Sequence, residues 1–227
     1  VPANGAAVIS ERWIQWSLLI ATGISAVAIF FMLVLLVYFC LPLVTSGEMG
    51  ALLSWQWKPF GGRFGILPMC VGSLAIAVFA LTLAFPAAVG ICGFVTLLGP
   101  SKPARLVLAA VHFMTGIPTV IYGFVSVFLL VPLMRERLGG GSGFSFLTAG
   151  LVLSLLIVPT ITLVFHSRLR QVVPRLRPVA EAMGLTPAQQ FRHVFLPAAS
   201  RGLWIAAILG FGRALGDTLI SLMLAGN

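Results

Sequence analysis

Between Arg63 and Lys102 the chain carries no charged residue. A helix needs about 20 apolar residues to cross the hydrocarbon core of a bilayer. This stretch is longer than one such crossing and too short for two. Four more apolar runs of comparable length flank it, so that the candidate crossings are Ile14–Leu41, Ile66–Gly93, Ala104–Pro132, Ser145–His166 and Gly202–Leu224. Pro86 sits inside the second run, where a membrane helix bends around proline without ending if neighbours satisfy the freed carbonyl. The expectation is an all-α fold: a polytopic transmembrane helical bundle forming one membrane domain over residues 1–227.

Composition agrees with that constraint. Hydrophobic residues make up 59% of the chain and charged residues 8%, whereas a soluble domain carries about a quarter charged residues. The net charge of +9 does not indicate nucleic-acid binding, because the basic residues lie in short connections between apolar runs and not on one clustered surface. With the N-terminus and the 94–105 and 167–201 connections counted as one side, nine Lys and Arg fall there against four opposite. The positive-inside rule makes the first side cytoplasmic. Trp55 and Trp57 stand before the second run, where indole rings favour the headgroup zone. The Gly139–Gly143 stretch is a tight, flexible connection. Because the chain opens at Val1 and not at Met, its natural start is expected further upstream. The first run is too long for a signal-peptide core.

Several chemistries find no support. Cys40, Cys70 and Cys92 lie in or at the ends of apolar runs without CxxC spacing and read as small packing residues. His112 and His166 belong to no metal-ligand spacing and read as packing or interface residues. There is no HExxH and no GxxxxGK[ST] phosphate loop, so neither catalysis nor nucleotide binding is expected of this chain, and no cofactor. Arg213 lies inside the fifth run, where a charge is costly and normally faces a bundle interior or an aqueous cavity. Asp217 follows four residues later, on the same face if one helix continues. Two readings stay open: the guanidinium offers a donor fork for an oxyanion, held in place by the carboxylate, or the two form a self-neutralising structural ion pair. The Gly116-Ile117-Pro118-Thr119 run also has two readings. Gly116 and Gly123 permit close helix packing, the favoured reading, or Pro118 opens the helix so that backbone groups line a pathway.

The long polar connection after His166 reads as helix, turn, helix. Val179 to Gly184 forms a short helix stopped by Gly184, and Thr186-Pro187 opens a second as N-cap and first-turn proline. That second helix runs through Phe195 and ends at Leu196-Pro197. Glu181-Ala182-Met183-Gly184 through Val194-Phe195-Leu196-Pro197 resembles the coupling loop of ABC importer permeases, with a Gly, nine residues, a β-branched residue, one more, then Leu-Pro. The family's leading Glu aligns with Pro178; Glu181, one turn later on nearly the same face, is expected to replace it. The resemblance implies that this loop, within 167–201, docks on a cytoplasmic ATPase through Glu181, Ala182, Gly184, Phe191, Val194, Leu196 and Pro197.

Three further stretches, Phe64–Pro68, Gly116–Gly123 and Gly212–Thr218 continuing to Asn227, resemble the permeases of phosphate-specific ABC importers. The lead-in from Trp55 to Pro68 is most similar to the first of that system's two homologous permease subunits. Where that family has Glu, this chain has Asp217. The resemblance implies the fold of a type I importer permease in a bacterial or archaeal cytoplasmic membrane. It also implies a substrate path for phosphate that includes Arg213, Asp217, Thr218, Thr119 and Tyr122. The implied partners are a second homologous permease subunit, an ATPase dimer and an external phosphate-binding protein. With five crossings Asn227 lies outside, and the family's final segment is expected to be missing. The rivals are a permease for molybdate, sulfate or an amino acid, and an ATP-independent channel or secondary transporter that uses its intramembrane charges for ion coupling.

Overall fold

A computed structural model of the chain describes residues 5–45, 49–58, 61, 63–99, 101–137 and 141–225. Gly139, Gly140, Gly226 and Asn227, which the sequence reading used, lie outside the described residues. Four helices are long and apolar enough to cross a membrane, or up to five if one bent helix pair counts as a span. The chain divides into two compact units, Val1–Pro68 and Met69–Asn227.

The first unit is dominated by α1 (Gly5–Thr45). Its crossing, Arg12–Pro42, has a mean hydropathy of 2.8 and nothing buried inside the chain. Trp13, Phe30, Phe31, Tyr38 and Phe39 point outward in all directions. A helix apolar on every side needs an apolar surrounding, and lipid supplies it. A one-turn helix α2 (Met49–Leu52) follows. Strands β1 (Trp57–Lys58) and β2 (Arg63–Phe64) then pair antiparallel, Trp57 opposite Phe64 and Lys58 opposite Arg63. Gly65 closes this turn under Ser54: a Cβ there would lie 2.2 Å from the Ser54 carbonyl oxygen, so only glycine fits.

The second unit is helical. Helix α3 (Leu67–Leu98) continues through Pro86. Ala77, Ala80, Ala84, Ala88 and Cys92 recur every three or four residues along it and are all buried. A face of small side chains lets another helix approach closely where lipid offers no hydrophobic drive for association. The expected third crossing is not one helix. It is α4 (Lys102–Gly116) and α5 (Thr119–Arg137), parted at Ile117 and Pro118, and α5 alone meets the length and hydropathy of a crossing. Pro118 has no N–H to continue the ladder, and a proline drives the residue before it into extended backbone; Ile117 indeed has φ −79° and ψ 122°. The glycine reading splits accordingly. At Gly123 a Cβ would meet the Met223 sulfur at 2.9 Å, which is close packing, whereas Gly116 has nothing within 4 Å.

Helix α6 (Phe146–Ala182) is 37 residues long, about 55 Å at 1.5 Å per residue, far more than a bilayer core of about 30 Å. The fourth crossing and the short helix expected from Val179 are therefore one continuous helix, not two separate ones. Pro159, Pro174 and Pro178 all lie within it. It ends at Gly184, whose φ of +70° suits glycine. Gly184 N donates to Glu181 O and Leu185 N to Ala180 O, the paired bonds of a Schellman stop. Thr186 then opens the next turn with a full capping box, its side chain and that of Gln189 each bonding the other's backbone N–H. Three short pieces follow: α7 (Pro187–Gln189), a π-helical turn (Gln190–Phe195) and α8 (Leu196–Ala198). Leu196-Pro197 does not end the segment. The chain turns at Ala199, and α9 (Ser200–Gly216) leaves bent by 74° from the Pro187–Ala198 segment.

Helix α9 lies along α6 in the opposite direction: a Cβ on Gly202 would strike Arg168, and one on Gly210 would strike Ile161. Gly202, Ala206, Gly210 and Ala214, spaced four apart, form the buried contact stripe. The last piece, α10 (Thr218–Leu224), packs on α5 through Met223 and Gly123, and the Leu224 carbonyl accepts from Ser145 N at 2.9 Å. Helices α3 and α6 run the same way, since Phe79 meets Gly150, Cys92 meets Thr162, and Arg177 meets Thr96. The 94–105 connection and the segment after α6 thus share one end of the bundle.

Candidate functional site

At that shared end the segment that ends α6 and leads into α9 divides the residues expected for coupling between two faces. Glu181, Ala182, Gly184 and Pro197 are exposed. Glu181 Oε1 stands 4.0 Å from Arg177 Nε, and Arg177 Nη2 donates 3.0 Å to the Thr96 carbonyl. This contact ties the base of the segment to the end of α3. Phe191, Val194 and Leu196 face the other way, packed against the core. A Cβ on Gly93 would lie 3.1 Å from the Phe191 ring, so the missing side chain leaves room for it. Phe191 is thus an internal tether and not an outward anchor. The reason is the π turn, whose i to i+5 bonding rotates residues away from the faces an α-helix would give them. Met183 is 69% exposed and Arg192 is exposed; both join the outward face, although the sequence reading did not single them out.

The intramembrane residues are arranged differently from expectation. Arg213, in the last turn of α9, is half-buried and donates through Nη1 to Thr160 Oγ1 at 2.8 Å. Asp217 is not on α9. Its φ of −85° and ψ of 95° end that helix, and its Oδ1 accepts from Ile220 N at 3.0 Å, capping α10. The expected Arg213–Asp217 pair is therefore corrected. The four-residue spacing places side chains on one face only while a helix continues, and this one stops at Gly216. Among the described residues the sole ion pair is Arg177–Glu181. Arg213 is left with a neutral partner.

Tyr122 is buried and donates to the Met114 carbonyl at 2.9 Å. That oxygen lies just before the Pro118 break, so the phenol bridges α4 and α5. Thr119 is half-buried at the start of α5, and Thr218 is exposed at the start of α10. The sequence reading missed Thr160 and Thr162. Thr162 is fully buried and its hydroxyl has no hydrogen-bond partner, while its carbonyl accepts from Cys92 Sγ at 3.4 Å. The signal was available: Pro159-Thr160-Ile161-Thr162 places two hydroxyls after a proline in a charge-free run.

A helical bundle of long apolar spans, broken at Pro118 and Asp217 and carrying a tethered polar segment at one end, is a membrane-permease architecture. Its fold is that of a solved inward-facing MetNI methionine ABC transporter structure, with a TM-score of 0.63 at 22% identity over 75% of this chain and 79% of that one. Residues 90–227 match the family described as binding-protein-dependent transport system inner membrane component, and the chain belongs to that family. It is 33% identical over 178 residues to the probable ABC transporter permease protein YqgH of Bacillus subtilis, covering 78% of this chain and 58% of that protein. It is 32% identical over 195 residues to the phosphate transport system permease protein PstC of Haemophilus influenzae, covering 78% and 62%. The chain thus spans about six-tenths of the length of these relatives.

Proposed function

We propose that this chain is a membrane-spanning permease subunit of an ATP-driven importer and carries inorganic phosphate past Arg213. The single observation behind the substrate is that Arg213 follows an uncharged run, 202–212, within α9, with Thr160 as its hydrogen-bond partner and no carboxylate paired to it among the described residues. A guanidinium with free donors in a low-dielectric interior is matched to a tetrahedral oxyanion. The name borne by the Haemophilus relative agrees with that chemistry.

In this reading 1–227 is one permease domain and the 167–201 stretch lies in the cytoplasm. Its outward residues Glu181, Ala182, Met183, Gly184 and Pro197 meet an ATPase dimer. A second homologous permease subunit completes the pathway, and an external phosphate-binding protein delivers the ion. Thr119, Tyr122, Asp217 and Thr218 line or brace the path near Arg213. The subunit performs no chemistry; it alternates between two states that its partners bias from either face.

The test is reconstitution of the full transporter in liposomes, with phosphate uptake and binding-protein-stimulated ATP hydrolysis measured together. Arg213→Gln is expected to lower phosphate uptake about tenfold or more, the loss of one or two charge-assisted hydrogen bonds. Undiminished phosphate uptake would remove Arg213 from the path. Uptake of molybdate, sulfate or an amino acid in place of phosphate would move the substrate. Uptake that survives ATP depletion would overturn the importer reading itself.

A further inference from the structure

Where α3, α4 and α6 meet, at the same end as the coupling segment, a cleft of about 570 Å³ opens. Its polar wall is one face of α6. His166, Arg170 and Arg177 follow one another at four and seven residues, which keeps them on one side of a helix. Arg105 of α4 and Thr96 of α3 close it, and Leu169 lies among the apolar side chains of its floor.

The charges are unbalanced. Three guanidiniums line the cleft, and the only carboxylate paired with any of them among the described residues is Glu181, at 4.0 Å from Arg177. Arg177 also has the Thr96 carbonyl. Arg105 and Arg170 have no ion-pair partner among the described residues. His166 Nδ1 is shielded from solvent and has no hydrogen-bond partner. Arginines brought together without anions repel one another, and burying a polar nitrogen without a partner costs stability. A bound anion removes the repulsion between the guanidiniums.

We infer that this cleft binds a phosphate group through Arg105, Arg170 and His166, at a site separate from Arg213. A phosphate offers several oxygens to forked guanidinium donors, and the cleft's mixed lining suits a group that enters from the membrane boundary. Such a group is carried by an anionic phospholipid headgroup or by free inorganic phosphate. Basic pockets between membrane helices bind lipid headgroups by this same chemistry.

The experiment places the full chain in phosphatidylcholine nanodiscs. In one arm phosphatidylglycerol is added and its retention is read by native mass spectrometry. In the other, binding of radiolabelled inorganic phosphate is read by equilibrium dialysis in an Arg213→Gln background, which separates this site from the proposed transport path. Arg105→Gln with Arg170→Gln is expected to lower retention of one of the two probes about tenfold or more, and the probe that is lost identifies the source. The corresponding Lys variants keep the charge and recover part of the binding, a recovery that a purely structural role would not give. Arg135→Gln with Arg137→Gln, at the other end of α5, leaves both probes unchanged. Arg105 is exposed, so its single Gln variant keeps the test decisive if the double variant fails to fold. Equal retention of both probes by wild type and the Arg105 variant, or equal loss in the Arg135 and Arg137 control, overturns the inference.

Discussion

Substituting Gly210→Ala should drive α9 away from α6. A Cβ at this position would sit 2.5 Å from Ile161 Cγ1 and 2.8 Å from its Cδ1, whereas carbon atoms pack comfortably at about 3.5–4.0 Å. One of two things must give by roughly 1 Å: the helix axes, or the Ile161 rotamer. Ile161 is fully buried, so it has no solvent-side rotamer to adopt. Overpacking of this kind costs about 1–3 kcal/mol. Ile161→Ala alone leaves a hole and costs about 2–5 kcal/mol in a soluble core, and towards the low end in lipid, where the loss is mainly packing and not transfer from water. The double variant puts a methyl group back towards that hole and removes the collision. It should therefore be about 1–3 kcal/mol more stable than the sum of the single changes, a coupling typical of residues in direct contact. Reversible unfolding in mixed micelles measures all three. Additivity within about 0.5 kcal/mol would refute the close approach of the two helices. The same displacement should stretch the 2.8 Å bond from Arg213 to Thr160, one turn further on, and Gly210→Ala should then lower phosphate uptake by reconstituted transporter as well.

Two smaller changes test the helix ends. Gly184→Ala meets no atom within 4 Å, yet its φ of +70° is a conformation that costs an L-residue about 1–2 kcal/mol, so the unfolding free energy should fall by that amount; an unchanged value would mean α6 does not end in a left-handed stop. Asp217→Ala should cost about 0.5–2 kcal/mol through loss of the α10 cap, with Asp217→Asn nearly neutral because Asn caps as well. If Asn proved as damaging as Ala, the carboxylate charge would be the important feature and the Arg213 pairing would return.

The apolar runs made insertion legible because hydropathy over about 20 residues is a sum, insensitive to any single position. Helix breaks depend on single positions, and there the reading was weaker. Pro118 was noticed but packing was favoured, and the chain opens. The break at Asp217 was missed, because nothing in the apolar fifth run except the capping preference of Asp itself marks an interruption. Conversely, the short helix expected from Val179 has no separate start, because α6 passes through Pro178. The stop at Gly184 and the start at Thr186-Pro187 were legible, since caps are local bonds written in a few residues. The stripe Gly202, Ala206, Gly210, Ala214 was present at its spacing of four but gains meaning only opposite Ile161 and Arg168. The inward turn of Phe191 could not be read at all, because no composition marks a π turn in advance.

Continuity of α6 has a mechanical consequence for the proposed coupling. Thr160, which holds Arg213, and Ala182, which precedes the Gly184 stop, lie on one uninterrupted helix, about 33 Å apart at 1.5 Å per residue. A helix transmits displacement along its axis with little loss so long as its hydrogen-bond ladder holds, whereas a hinge between crossing and coupling segment would absorb part of it. A gap between the expected crossing, Ser145–His166, and the expected short helix from Val179 would have been such a hinge. In its place, the stretch before Gly184 lacks only the ladder bonds that Pro174 and Pro178 cannot donate, and the larger breaks lie beyond Gly184, where the chain passes through a π turn and the bend at Ala199 before entering α9. Phe191 against Gly93 and Arg177 on the Thr96 carbonyl tie this part to α3. A push on the outward face would thus reach Arg213 by two routes, along α6 to Thr160 and through α9 itself, and the small-residue contact between those helices keeps the two routes in step.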